Sequence, residues 1–160
     1  MTAPVDLIPE SDADWIADFL TKYWGAPTIV ARGEVIEAAS LSGFRAVDRD
    51  GTLKGFASYR IEDDALQIVT LDSFFEGGGT GQALVARVLF EAREKGCSKV
   101  WLVTTNDNLH ALRFYQRRGF RIVAVYPGAM DAARKLKPEI PAIGANGIPI
   151  RDEIELEMCL

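Results

Sequence analysis

Residues 66–75, LQIVTLDSFF, run into EGGGTGQAL at 76–84, which puts four glycines into six positions and then turns into a helical pattern. This junction constrains the fold more than any other part of the chain. The mostly apolar, β-branched run reads as a strand covered on both faces. Leu84, Val85, Val88, Leu89 and Ala92 then form one apolar stripe opposite Arg87, Glu91, Glu94 and Lys95, and Gly96 ends the helix as a C-cap. KVWLVTT (99–105) reads as a second buried strand, so the centre of the chain is a strand–helix–strand unit.

The flanks extend this pattern. VDLIP (5–9) reads as a short first strand, and SDAD starts a helix with Ile16, Phe19 and Leu20 on one face, ended by GAP after Trp24. GEVIEAASL (33–41) reads as a second short helix. FRAVDRDGTLKGFASYRI (44–61) is a hairpin turning at Asp50-Gly51, with Glu62, Asp63 and Asp64 as the next connection. Asn108 caps the helix LHALRFYQRR, which stops at Gly119 with Phe120 making the closing apolar contact. RIVAVYP (121–127) is a strand, AMDAARKL (129–136) a short helix or turn, and 138–150 a loop punctuated by Pro and Gly. In EIELEMCL (153–160), Ile154, Leu156, Met158 and Leu160 alternate with Glu153, Glu155 and Glu157, which reads as a half-exposed terminal strand, an edge blunted by carboxylates. The fold class is α/β (α+β), one domain over 1–160, without internal repeats.

The bulk properties exclude several functions. A net charge of -5 over 160 residues argues against a nucleic-acid partner and is compatible with a cationic substrate. No run of about 18 apolar residues exists, so no membrane span is expected. The N-terminus has neither the basic start nor the apolar stretch of a signal peptide. Cys97 and Cys159 lack metal-ligand spacing and the chain has one histidine, so no metal site is expected. Free thiols point to the cytoplasm. Trp15, Trp24 and Trp101 read as core residues, Cys97 as a structural thiol, and His110 as solvent-facing.

A glycine turn between a buried strand and a helix start is a ready anion site, because free N–H groups and the helix dipole both face the ligand. The P-loop requires Gly-Lys-Ser/Thr, whereas Gly81 is followed by Gln82-Ala83. The dinucleotide pattern GxGxxG meets Gln82 or Leu84 where its third glycine belongs, so it fails too. A third pattern, [Gln/Arg]-x-x-Gly-x-[Gly/Ala], the acyl-CoA pyrophosphate loop, fits at Gly79 and Gly81, with Glu76 in the Gln/Arg position.

About thirty residues on, Asn108, Ala111, Tyr115, Gly119 and Phe120 form the string N-x-x-A-x-x-x-Y-x-x-x-G-F. With the glycine loop, this closely resembles the GNAT superfamily of acetyl-CoA-dependent N-acetyltransferases, over essentially the whole chain. The resemblance implies a mixed central sheet of six to seven strands flanked by helices, whose fourth and fifth strands splay to hold acetyl-CoA. It implies that Leu71, Asp72 and Ser73 pair with the pantetheine arm. Backbone groups of Gly77, Gly78, Gly79, Thr80 and Gly81, with Gln82, would hold the pyrophosphate. Asn108 and Ala111 would meet the cofactor arm, and Tyr115 the thioester sulfur. Arg117 and Arg118 could approach a 3′-phosphate. Glu76 departs from the family pattern, since a carboxylate pointing inward would repel the pyrophosphate.

The chemistry of such a site is direct transfer to a primary amine of a small molecule or peptide. A backbone N–H near 71–73 would stabilise the oxyanion, and Tyr115 would serve as general acid, since a phenol near 10 can protonate a thiolate near 8.5 with modest tuning. Asp72 is the first choice of base, Glu62 and Asp63 the next. The alternative is a catalytically silent acyl-CoA-binding sensor or regulatory module. Residues 130–150 would form a substrate lid or a homodimer contact.

Overall fold

The computed structural model describes residues 5–75 and 78–160. Seven strands form one sheet in the order β1, β4, β5, β6, β7, β9, β8: β1 (Asp6–Glu10), β4 (Ser42–Val47), β5 (Leu53–Glu62), β6 (Ala65–Ser73), β7 (Lys99–Thr105), β8 (Arg121–Tyr126) and β9 (Glu153–Cys159). All neighbours are antiparallel except β6 and β7, which are joined by the crossover helix α2 (Thr80–Glu94). Helix α1 (Ala13–Trp24) follows β1, α3 (Leu109–Arg117) links β7 to β8, and α4 (Ala129–Leu136) follows β8.

Side-chain alternation along β5 shows how the sheet is covered. Phe56 points into a cluster with Ile16, Phe19 and Leu20 of α1. Its neighbour Ala57 points into the larger cluster holding Leu84, Val85 and Val88 of α2, together with Tyr115 and Phe120. Adjacent strand residues face opposite sides, so α1 covers one face and α2 with α3 the other. Asp12 starts α1 by accepting from the N–H groups of Asp14 and Trp15 at 3.0 and 3.2 Å.

Two expectations fail. Residues 33–41 are not a helix: β3 (Glu34–Glu37) pairs with β2 (Thr28–Ala31) in a separate hairpin, followed by a 3-10 turn at Ala38–Ser40. The central turn residues Arg32 and Gly33 have φ of 53° and 74°, the positive pair that a two-residue hairpin favours. The apolar spacing of Val35 and Ile36 fitted either period; Thr28, Ile29 and Val30 supply the strand that decides it.

Strand β9 is not an edge. It lies between β7 and β8, pairing from Lys99↔Cys159 to Thr105↔Glu153 on one side and from Arg121↔Glu157 to Tyr126↔Glu153 on the other. Its carboxylates are accommodated by neighbouring donors. The Arg32 N–H donates to Glu153 at 3.1 Å, Tyr126 Oη donates to Glu155 at 3.2 Å, and Lys99 donates to Glu157 at 3.2 Å. The edge on this side of the sheet is β8, with Ile122, Val123 and Val125 exposed.

Residues 130–150 fold back onto the chain itself. Met130, Ala133 and Ile150 make a small third core against Val30, and Lys137 Nζ donates to the Thr28 carbonyl at 2.7 Å. Asn146 donates to the Asp107 carbonyl at 3.1 Å, which braces the loop before α3.

Candidate active site

Strands β6 and β7 pair only at Ala65↔Lys99, Leu66↔Val100 and Gln67↔Trp101. From residue 68 of β6 and residue 102 of β7 the two strands part, as expected of the splayed pair. A register shift against β5 falls where Ser58 pairs with Thr70 and Tyr59 with Ile68, leaving Val69 as the extra residue of a bulge. Beyond it, the Phe74 N–H donates to the Lys54 carbonyl at 3.0 Å. Antiparallel ladders alternate, so Asp72 and Thr70 turn their backbone groups toward β5, and Leu71 and Ser73 turn theirs into the gap.

The gap opens into a cleft of about 830 Å³. One wall is the end of β6 with Leu71, Asp72 and Ser73, and the opposite wall is α3 with Asn108, Ala111 and Tyr115. Its floor is the start of α2. Gly79 precedes that helix at φ 80°, a conformation other residues adopt only with strain. No side chain caps the first turn and no acidic residue lies in it, so its N–H groups and dipole are available to an anion. Gly79, Gly81 and Gln82 line the cleft here. Thr80 is buried with its methyl group against the backbone of Gly55, so it offers only its backbone. Gly78 lies in the loop before it, and Glu76 and Gly77 fall outside the described residues.

Gly81 has a packing reason of its own: a Cβ there would come within 3.1 Å of the Phe114 ring. Asn108 caps α3 by accepting from the Ala111 N–H at 3.1 Å. Tyr115 is 6% exposed, edge-on to Phe114 and Phe120 with centroids 5.1 and 5.2 Å away. Burial above all, then the nearby Asp72 charge, raises its phenol well above the ordinary 10. Burial also pushes Asp72 up to about 6, opposed by a hydrogen bond from Trp24. Glu62 and Asp63 are not brought here. They sit at the β5–β6 turn, the other end of β6 from Asp72, with Glu62 paired to Arg60 at 3.3 Å.

The family model of the acetyltransferase (GNAT) family matches residues 11–120. The chain belongs to the GNAT acetyltransferase family. This GNAT chain is 42% identical to the protein YdhI of Bacillus subtilis over 139 residues, 87% of each chain. It is 34% identical over 83 residues to the spermine/spermidine N(1)-acetyltransferase of Bacillus subtilis, 45% of this chain and 55% of that one. A Bacillus subtilis acetyltransferase solved in complex with CoA shares the fold at a TM-score of 0.71 and 22% identity, covering 98% of this chain and 99% of that one.

Two features of this GNAT site escaped sequence reasoning, the contact made by Trp24 and the place of His110 and Arg113. Arg117 and Arg118, read as able to approach a phosphate, line the cleft. Trp24 is not core: it is 37% exposed, and its Nε1 donates to Asp72 Oδ2 at 2.9 Å. His110, Arg113 and Arg117 share the face of α3 that lines the cleft, a cationic stripe whose i, i+3, i+7 spacing was readable. Arg118 also reaches the cleft, with its guanidinium 3.7 Å from the Phe114 ring centroid and Nη1 donating to the Phe114 carbonyl at 2.9 Å. Four basic or imidazole side chains on one wall suit an anionic ligand.

Proposed function

We propose that the protein transfers the acetyl group of acetyl-CoA directly to a primary amine of a small molecule or peptide. The observation that carries this reading is the parting of β6 and β7 after three residue pairs, which opens a path from the uncapped start of α2 to Asp72 and Tyr115. Backbone groups of Leu71 and Ser73 would pair with the pantetheine amides, and the N–H groups of Gly79 to Gln82, with Gly77 and Gly78 before them, would hold the pyrophosphate. Asn108 and Ala111 would border the arm, and the cationic face of α3 would offset the phosphate charge. The likeness to a spermine/spermidine N(1)-acetyltransferase supports an amine acceptor.

In this reading the amine nitrogen attacks the thioester carbonyl, and a Leu71 or Ser73 N–H donates to the oxyanion, worth about 2.7–4 kcal/mol. Asp72 accepts the amine proton. The C–S bond then breaks, with Tyr115 donating to the departing sulfur. Its raised pKa refines this role. A phenol held neutral so firmly acts first as a hydrogen-bond donor and gives up its proton only as thiolate charge develops. Two free cysteines suit a reducing compartment, the cytoplasm.

The test is CoA-thiol release from acetyl-CoA across amines, polyamines, amino acids and N-terminal peptides. Release that requires both substrates is the expected result. Tight CoA binding with no release for any acceptor would instead establish an acyl-CoA-binding module.

A further inference from the structure

Among the described residues lining the cleft, Asp72 is the one carboxylate, and its partner comes from outside the cleft, on the far helix α1. We infer that Trp24 is a positioning residue for the transfer reaction: its indole N–H holds Oδ2 of Asp72 and leaves Oδ1 to take the proton of the incoming amine. The inference rests on the reading of Asp72 as proton acceptor given above.

The geometry around this bond is built rather than incidental. Asp72 is the cross-strand partner of Phe56 and shares its face of the sheet, the face covered by α1. Phe19 of α1 packs on Phe56 with centroids 5.0 Å apart. Tyr23, next to Trp24, packs on Phe74 at 4.9 Å, and Phe74 lies two residues after Asp72. The last turn of α1 is therefore fastened to the sheet on both sides of the carboxyl. Trp24 itself stays partly exposed, which a residue needed only for packing would not require. Among the described residues no hydrogen bond engages Oδ1.

The titratable and charged groups around this part of the cleft are few. From α3 come the Tyr115 phenol, Arg118 beside it, and His110, Arg113 and Arg117 along the cleft wall. From α1, Lys22 and Tyr23 precede Trp24. From β5, Phe56 is opposite, and Lys54 lies over the Phe75 ring at 4.0 Å. Replacing the indole by phenyl leaves these groups in place, and any solvent it admits to the carboxyl would move the titration down, opposite to the upward move expected from the lost N–H.

The experiment compares the wild type, Trp24→Phe, Asp72→Asn and the double variant. Two readouts are used: the carboxyl ¹³C titration of Asp72 in the free protein, and the pH profile of kcat/KM for the best acceptor amine. In Trp24→Phe both the titration and the acid limb should move up by about one pH unit, the size of one lost charge-assisted hydrogen bond at a partly exposed site. The KM for acetyl-CoA should stay within about twofold, and adding Trp24→Phe to Asp72→Asn should change kcat no further. An unmoved titration, or a moved titration with an unmoved rate profile, overturns the inference while leaving the transferase reading intact. Failure of the wild type to turn over any amine overturns both.

Discussion

Gly81 at the start of α2 lies so close to Phe114 of α3 that an added Cβ would stand 3.1 Å from one ring carbon and 3.2 Å from the next. Phe114 in turn supports Tyr115 edge-on and carries the Arg118 guanidinium on its face. The glycine thus couples the anion-binding turn to the wall bearing the phenol. Gly81→Ala should shift Phe114 by a few tenths of an ångström, cost about 1 kcal/mol of stability, and raise the KM for acetyl-CoA. Gly79→Ala should cost a similar amount for a different reason, a side chain forced to φ 80°. Chemical denaturation with and without CoA measures both.

Tyr115→Phe should lower kcat by about 100-fold while leaving CoA affinity within about twofold. Among the described residues the hydroxyl makes no hydrogen bond within the protein, so the substitution leaves no buried polar partner stranded and should barely change the melting temperature. Unchanged turnover would remove Tyr115 from the proton-donor role.

The Asp72 carboxyl titrates at about 6 in the folded protein against an ordinary 3.8. The folded state therefore holds this proton more tightly than the unfolded chain. Its contribution to stability is fully present below 3.8 and is lost as pH rises through 6. Catalysis has the opposite need, an ionised carboxylate, so kcat/KM should fall below about pH 6. Asp72→Asn should abolish that acid limb, lower kcat at pH 7 by about 100-fold, and remove the Asp72 part of the stability loss between about pH 4 and pH 6. Melting curves across pH, set beside the rate profile, test the two signs together.

Arg117 lines the cleft from the last turn of α3. If it meets the 3′-phosphate, Arg117→Ala should weaken CoA binding by about tenfold, the loss of one exposed charge-assisted contact. Binding of 3′-dephospho-CoA should hardly change. Equal losses for the two ligands, measured by calorimetry, would place its effect elsewhere.

The parts of the molecule legible in sequence were those whose signals lie within one strand, loop and helix. KVWLVTT coincides with β7, Asn108 caps α3 as read, and the glycine turn opens α2. Site residues carried by these segments reached one cleft because the β6–α2–β7 crossover brings both turns to the same end of the sheet. What was not legible depended on partners far along the chain. Residues 34–37 became a strand because 28–31 lie beside them, and Glu153 to Cys159 became interior because β8 pairs beyond it. Trp24 meets Asp72 across 48 residues, and no local pattern announces such a contact.

The interior place of β9 bears on the order in which the molecule can be assembled. A chain leaving the ribosome presents β7 and then β8, but β8 has no pairing with β7; β7 pairs with β6 on one side, and its other side and β8 wait for residues 153–159. Lys99 must remain available to a partner, Cys159, made sixty positions later, with an apolar strand edge open meanwhile. The half of the sheet from β1 to β6 can close first, and the half that carries α3 and Tyr115 is sealed by a late arrival. Nascent chains halted just before that strand would then display a formed glycine turn facing a wall not yet in place.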